Sequence, residues 1–276
     1  MDFSTYKTEE IIEHLKAINL IKPYDVMIAG VTGTGKSSTI NALLNRDVAK
    51  VGLGAEPETK AVQDYALGQF IRLWDTPGLG DGTEQDKANT QDISNLLSRL
   101  YLAWNRHYKN NGDQVAVNSC ETIRSILKKE NYGELRWRNA AFENLEKMLD
   151  CAIIVIDGSS KDLGMAYNLL ETIKAGINPT KILIAINQAD IAMKGRGWNI
   201  ETMAPGEELL AFLQEQALSI QRRILKTCEL QVAVPTFYSA AYGYNVDKLM
   251  DFIVDNMNPK KNETDETDET QVVPPN

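Results

Sequence analysis

The chain has little of what would tie it to a secreted, membrane-spanning or metal-centred class. It carries only three cysteines, Cys120, Cys151 and Cys228, in 276 residues. Their wide spacing and odd number fit neither a disulfide framework nor a zinc site, and they suit a reducing compartment. Histidine is scarcer still, with two residues. His14 falls on a predicted helix and His107 among Arg106, Tyr108 and Lys109, so both suit a solvated or packing role. No apolar run approaches the roughly 20 residues that cross a bilayer; residues 153–156 and 182–186 have instead the length of buried strands. The opening residues, up to Glu9 and Glu10, hold no basic region followed by an apolar core, so no secretory signal is expected and a cytoplasmic location follows. Positive charge is in deficit, with a formal net charge of -9. Much of the excess is in the tail, where Glu263, Asp265, Glu266, Asp268 and Glu269 have no basic residue among them. That balance carries no strong nucleic-acid signature, because such affinity comes largely from clustered Lys and Arg that release counterions.

What is present is an alternation of buried strands and helices. An amphipathic helix opens the chain, with Thr8 as the expected N-cap and Ile11, Ile12, Leu15 and Ile18 at helical spacing. Residues 1–23 are therefore read as an N-terminal helix packing on the main domain. Strand patterns follow at residues 26–29, 61–67, 70–74, 152–156, 181–186 and 234–238. Gly68-Gln69 has the spacing of a two-residue hairpin, which predicts one antiparallel strand. Helical patterns near residues 163–175, 207–228 and 246–257 complete a mostly parallel sheet covered on both faces, a three-layer α/β domain over residues 24–257. Residues 83–149 are read as a helical insert, with Ile93, Leu97, Leu100, Trp104 and Tyr108 on one face and further helices near Ile123 and Leu145. Trp104, Arg136, Trp137 and Arg138 there suit a structural helix pair. Residues 258–276, with their Glu-Thr-Asp repeat, cannot bury a core and are expected to be disordered.

Chemistry concentrates in a few loops. Gly30-Val31-Thr32-Gly33-Thr34-Gly35-Lys36-Ser37 matches G-x-x-x-x-G-K-[ST], and it lies between a buried strand and a helix beginning Ser37-Ser38-Thr39. Glycine there lets backbone N–H groups turn toward phosphates. Lys36 supplies a cation for the β and γ groups, and the Ser37 hydroxyl suits magnesium. Asp75-Thr76-Pro77-Gly78 follows a strand, so Asp75 emerges at its carboxyl end where it can hold magnesium through water. Thr59, in the polar stretch Glu56-Pro57-Glu58-Thr59, is the natural third magnesium ligand. Asn187-Gln188-Ala189-Asp190 follows another strand and supplies a carboxylate that accepts two hydrogen bonds from guanine, where adenine has no matching donors; such a site discriminates on the order of 10⁴. Ser239-Ala240-Ala241 would set a backbone N–H near the guanine oxygen.

Taken together, these motifs resemble the translation-factor-related P-loop GTPases, most nearly the bacterial Era and HSR1-related type, over about 210 residues of the sequence. The phrases Gly35-Lys36-Ser37-Ser38-Thr39-Ile40-Asn41-Ala42-Leu43, Asp75-Thr76-Pro77-Gly78-Leu79-Gly80 and Asn187-Gln188-Ala189-Asp190 carry the likeness. The resemblance implies a Ras-like fold and bound GTP or GDP with Mg2+. It implies nucleotide contacts from Gly30, Thr32, Gly33, Thr34, Gly35, Lys36, Ser37, Ser38, Asn187, Gln188, Asp190, Ser239 and Ala240, metal ligation by Ser37, Thr59 and Asp75, and catalytic roles for Lys36, Thr59 and Gly78.

Three departures qualify this. Gln188 replaces the usual Lys whose stem lies along the base. Leu79 stands where Ras-type proteins carry the water-orienting glutamine, a task an apolar side chain cannot perform. Gly33 stands where potassium-activated relatives carry Asn. Slow intrinsic hydrolysis follows, assisted by a protein effector or a nucleotide-dependent homodimer. A nucleotide-dependent assembly module with negligible hydrolysis and a dynamin-like membrane-remodelling GTPase remain as alternatives, and no transmembrane segment is expected.

Overall fold

Apolar, β-branched runs bounded by Gly, Pro and Asp set the strands of this chain, and the computed structural model describes residues 3–17, 22–49, 62–80, 83–98 and 149–257 of it. In chain order these form α1 (Thr8–Ala17), β1 (Tyr24–Gly30), α2 (Lys36–Leu44), β2 (Gln63–Leu67), β3 (Ile71–Asp75), α3 (Thr83–Ser98), β4 (Cys151–Asp157), α4 (Gly164–Lys174) and β5 (Ile182–Asn187). A small hairpin, β6 (Trp198–Asn199) and β7 (Ala204–Pro205), then leads to α5 (Glu207–Cys228), β8 (Thr236–Phe237) and α6 (Val246–Asp255).

The main sheet has the order β2-β3-β1-β4-β5-β8. β2 runs antiparallel to β3 and the other pairs are parallel. Successive side chains of a strand point to opposite faces, so β1 sends Met27 and Ala29 one way and Val26 and Ile28 the other. The first set packs with Ile93, Leu96 and Leu97 of α3, Leu169, Leu170 and Ile173 of α4, and Ile220 and Ile224 of α5. The second packs with Ile11 and Leu15 of α1, Ile40 and Leu43 of α2, and Leu249, Met250 and Ile253 of α6. Helices on both faces explain why β1, β4 and β5 read as continuous apolar runs rather than alternating ones.

Several details depart from the sequence reading. α3 is a layer helix of the sandwich, because Ile93, Leu96 and Leu97 lie in the main core; residues 99–148 of the segment read as an insert, including Trp104, His107, Cys120 and residues 136–138, lie outside the described residues, as does the tail. The α1 region, by contrast, packs on the main domain as read: Phe3, Ile11 and Leu15 are buried, the Tyr6 hydroxyl donates to Asp251 Oδ1 at 2.8 Å, and Lys7 pairs with Asp251 at 3.0 Å. Thr8 is the first helical residue and its hydroxyl donates to the Thr5 carbonyl at 2.8 Å, so it is not the N-cap. The β2–β3 turn holds three residues, since Leu67 pairs with Ile71. β8 is confined to Thr236–Phe237; Pro235, with no N–H to give the ladder, limits its start.

At the amino ends of β1 and β3, charge is buried in balance. Asp25, 0% exposed, accepts from Arg72 Nε at 2.5 Å, Trp74 Nε1 at 2.7 Å and Lys22 Nζ at 3.0 Å. Lys22 also pairs with Asp150, whose carboxylate accepts from the Asp25 N–H at 2.8 Å. Burial opposes the charge of Asp25, but Arg72 and Lys22 prevail and hold its carboxyl below the usual range. Burial likewise opposes the Lys22 ammonium and is overcome by Asp150 and Asp25, which keep it above its ordinary value. Asp150 goes the other way: burial pushes its carboxyl up to about 6 against the pull of Lys22.

Candidate guanine-nucleotide site

The carboxyl ends of β1, β3, β4 and β5 lie along one edge, and β1 is flanked by β3 on one side and β4 on the other. Connections leave in opposite directions from such a point, which opens a crevice where open α/β sheets take ligands. β1 delivers Gly30 to this crevice, β3 delivers Asp75 and β5 delivers Asn187.

The loop between β1 and α2 is shaped by its own bonds. Gly35 has φ 82° and directly precedes the first helical residue, Lys36. A methyl on Gly35 would also collide with Asn187 Nδ2, so the position needs glycine on both grounds. The Thr34 hydroxyl donates to the Val31 carbonyl at 2.9 Å and closes the loop. Lys36 is buried, and its ammonium reaches back to donate to the Val31 carbonyl at 3.2 Å. The α2 N-terminus beyond it suits an anion, since its first N–H groups have no helical acceptor. The Ser37 hydroxyl donates to Asp75 Oδ2 at 3.1 Å, with Asp75 1% exposed. A hydroxyl beside a buried carboxylate is a hard-oxygen pair of the kind magnesium takes. Thr76 fixes the turn after Asp75 by donating to the Ile28 carbonyl at 3.0 Å. Gly78 lies against the P-loop, since a methyl there would strike Thr32. Thr59 lies outside the described residues.

At the other end of the crevice, Asn187 joins three segments. Its Nδ2 donates to the Thr34 carbonyl at 2.9 Å and its Oδ1 accepts from the Ala240 N–H at 3.0 Å. Gln188, at φ 62°, donates through Nε2 to the Gly33 carbonyl at 2.9 Å. A neutral amide thus braces the P-loop from the position where the family resemblance puts a lysine. Asp190 Oδ1 accepts from the Ser239 hydroxyl at 2.6 Å, and the Ala189 N–H donates to the Tyr238 carbonyl at 3.1 Å. The loops carrying Asn187 to Asp190 and Ser239 to Ala240 are therefore one bonded unit. The Ala240 N–H, expected to face a base, is engaged by Asn187 in this arrangement. Ser38 and Ala240 share a cleft of about 620 Å³ with Asn41, Arg46 and Asp247.

Sequence reasoning missed several supporting residues. The Thr39 hydroxyl donates to the Gly35 carbonyl at 2.7 Å and lies 2.7 Å from the Tyr238 hydroxyl, tying α2 to the end of β8. Burial drives the Tyr238 phenol upward against the hydrogen bond with Thr39, so it stays neutral. Asn41 accepts from the Val48 and Ala49 N–H groups at 3.1 and 2.8 Å and donates to the Ala49 carbonyl at 2.8 Å. Asn89, buried on α3, donates to the Gly78 carbonyl at 2.6 Å. A polar residue four positions before Ile93 on an apolar helical face was a usable signal for Asn89.

The chain is 36% identical over 77 residues to Ribosome biogenesis GTPase A of Thermotoga maritima, a match spanning 28% of this chain and 29% of that relative. Toc33 of Arabidopsis thaliana, solved in complex with GDP and Mg2+, superposes with a TM-score of 0.54 at 15% identity, over 93% of this chain and 92% of the other. Its complex with Mg2+ and GMPPNP gives 0.51 at 14% identity, over 92% and 93%. Those two likenesses establish the three-layer fold. Residues 25–188 match the MMR_HSR1 family, described as 50S ribosome-binding GTPase. That match covers more than half of the chain and contains its P-loop, Asp75 motif and Asn187, so the chain belongs to this family of P-loop GTPases and is a GTP-binding protein.

Proposed function

We propose that this chain is a magnesium-dependent molecular switch that binds GTP and GDP and hydrolyses GTP slowly on its own. The observation that carries the reading is the pair of hydrogen bonds made by the Asn187 amide, one donated to the phosphate-binding loop at Thr34 and one accepted from the base-side loop at Ala240. Phosphate and base ends of one ligand would thereby be held at a fixed separation, as a nucleoside di- or triphosphate requires.

In this reading the N–H groups of the P-loop and of the first turn of α2 take the phosphates, with Lys36 as the cation for the β and γ groups. Ser37, Asp75 and Thr59 would hold Mg2+, which supplies charge neutralisation when bound. The Asp190 carboxylate, already oriented by Ser239, accepts from the guanine edge. Gln188 replaces a charged stem with a neutral amide, which lowers affinity for the base without touching the Asp190 selector. Gly78 offers its N–H to the γ-phosphoryl group. Leu79 is 3% exposed and packs in the core, away from any attacking water. Phosphoryl transfer then depends on positioning and electrostatics alone, and help for the water comes from a protein effector or a second protomer. Toc33, whose solved forms include a dimerization-deficient mutant, is a fold neighbour that motivates the second option.

An assembly module with negligible turnover is the competing reading, favoured by the same burial of Leu79. Calorimetry with GTP, GDP and ATP tests the site: Lys36→Ala is expected to abolish measurable GTP binding, and Asp190→Asn to weaken GTP far more than ATP. Equal affinities for all three nucleotides in wild type and variants would remove the guanine assignment. Single-turnover hydrolysis separates the switch from the assembly module.

A further inference from the structure

α5 buries Leu209, Leu213, Ala217, Ile220, Ile224 and Cys228 against the domain. The opposite side of such a helix ordinarily carries polar residues. Here it holds two leucines, Leu218 and Leu225, each 47% exposed and seven residues apart, with the exposed Ala211 seven positions before them. Seven residues are close to two turns, so the three side chains line up along the helix. Single exposed leucines are ordinary on a surface, but a row in heptad spacing is the seam by which one helix packs on another.

Charge divides along the same side. Glu208 and Glu215 stand in the first half of α5 and Arg222 and Lys226 in the second, all of them exposed. The helix dipole accounts for an acid in the first turn and a base in the last, but its effect has faded by Glu215 and Arg222. Those two are roughly 10 Å apart along the axis, too far to pair on one helix. Arg222 and Lys226, four positions apart, repel each other instead.

Turned end to end, the pattern complements itself. When two copies of α5 lie antiparallel about a two-fold axis at Leu218, the two Leu218 side chains meet at the axis and Ala211 faces Leu225 of the second copy, a small residue against a large one. In that register Glu215 comes beside Arg222 of the second copy, and Glu208 within reach of its Lys226 on the same flank. A parallel pairing would set Glu215 against Glu215 and Arg222 against Arg222.

We propose that the outer face of α5 is a self-association surface, seated antiparallel on the same face of a second copy of this chain. The face includes none of the residues assigned to the nucleotide, so the contact forms alike with GDP, with a GTP analogue or with neither. An interface of one helix pair is small, which makes the dimer weak and concentration-dependent.

Sedimentation of the full chain between about 1 and about 300 μM covers the range in which weak dimers form. Wild type is expected to pass from monomer to dimer. Leu218→Glu, which sets two carboxylates against each other at the axis, should stay monomeric throughout. Glu215→Arg and Arg222→Glu each spoil two pairs by symmetry and should weaken the dimer about tenfold. An equimolar mixture of these two variants regains both pairs across a heterodimer and should associate as wild type does, a rescue that contact with an unrelated protein or with another part of the same chain does not reproduce. Wild type that is monomeric at every concentration overturns the proposal, as does a dimer that Leu218→Glu leaves intact or a mixture that associates no better than either variant alone. Dilute Leu218→Glu should melt together with wild type. A clearly lower melting temperature would show that Leu218 packs on its own chain, and would overturn the proposal as well.

Discussion

Asn187 Nδ2 donates to the carbonyl oxygen of Thr34 at 2.9 Å, joining the end of β5 to the P-loop across the crevice. Its Oδ1 accepts from the Ala240 N–H, so one side chain sets the distance between the P-loop and the loop of Ser239 and Ala240. Truncation in Asn187→Ala leaves a carbonyl and an N–H without partners, at about 1–3 kcal/mol each. Guanine-nucleotide affinity is expected to fall about tenfold to a hundredfold, as measured by calorimetry, together with a lower melting temperature. Gly35→Ala should do the same, because its methyl would collide with that amide. Wild-type affinity in both variants would show that the loops keep their spacing without the bridge.

Leu79 stands where a water-orienting glutamine would be sought, yet it lies in the core with Trp74 and Ile93. Leu79→Gln therefore places an amide in an apolar pocket rather than beside a γ-phosphoryl group, and positioning is what makes such an amide useful. Single-turnover hydrolysis by this variant is expected to stay well below a hundredfold gain, which corresponds to about 2.7 kcal/mol of barrier. A larger gain would mean that the segment presents its side chain to the nucleotide after all.

The sequence made the strand-bound motifs legible because their function needs a fixed register: Gly30, Asp75 and Asn187 each fall at the carboxyl end of a strand, as their spacing predicts. The layer order was legible from apolar runs long enough for strands and helices at regular intervals. The role of α3 was not, since Ile93 and Leu97 suit an inserted helix as well as a layer helix, and only the position of β4 decides. Long-range polar contacts were equally hidden. Nothing local links Asn89 to Gly78, Thr39 to Tyr238 or Lys22 to Asp150, because each pair is created by topology. The Thr8 cap failed for a related reason: local propensity favours threonine at a cap, but Thr5 and Lys7 are held by the packing of Phe3 and by Asp251, which moves the helix start.

The buried charges at the opposite pole give the fold a specific pH profile. Burial pushes Asp150 up to about 6, above the ordinary carboxylate value, so the folded state holds that proton more tightly than the unfolded chain. Its contribution is therefore present at low pH and lost as pH rises through about 6. Asp25 is held below its ordinary value, mostly against burial, by Arg72 and Lys22, so its contribution is present above about pH 4 and lost as pH falls through the lowered value. Burial keeps the neighbouring Cys151 thiol up at about 12, outside this window. Calorimetric melts should give a higher melting temperature near pH 5 than near pH 7.5, then a steep fall below about pH 4. Asp150→Asn should flatten the upper part of the curve and leave the acid fall. A curve for Asp150→Asn that parallels wild type between those two pH values would rule out Asp150 as the responsible group.

α3 begins directly beyond the Asp75 to Gly80 segment and is tied to it by Asn89 and Asp86. Any repositioning of residues 78–80 must either break those two bonds or carry the start of the helix along. Ile93, Leu96 and Leu97 resist such movement, since they are buried against the sheet and α4. The two demands set a gradient along one helix: its first turns follow the nucleotide, and its later turns stay with the core. Segment-resolved hydrogen exchange, compared between the GDP form and a form bound to a non-hydrolysable GTP analogue, reads this directly. Protection is expected to change most over residues 84–90 and least over residues 93–97. A change that continues into residues 99–148, which follow α3 in the chain, would make this region the element that reports the nucleotide to an effector. Equal protection of residues 84–90 in both nucleotide forms, alongside a change at Gly78, would instead mean that the two bonds break and that α3 serves only as a packing element of the sandwich.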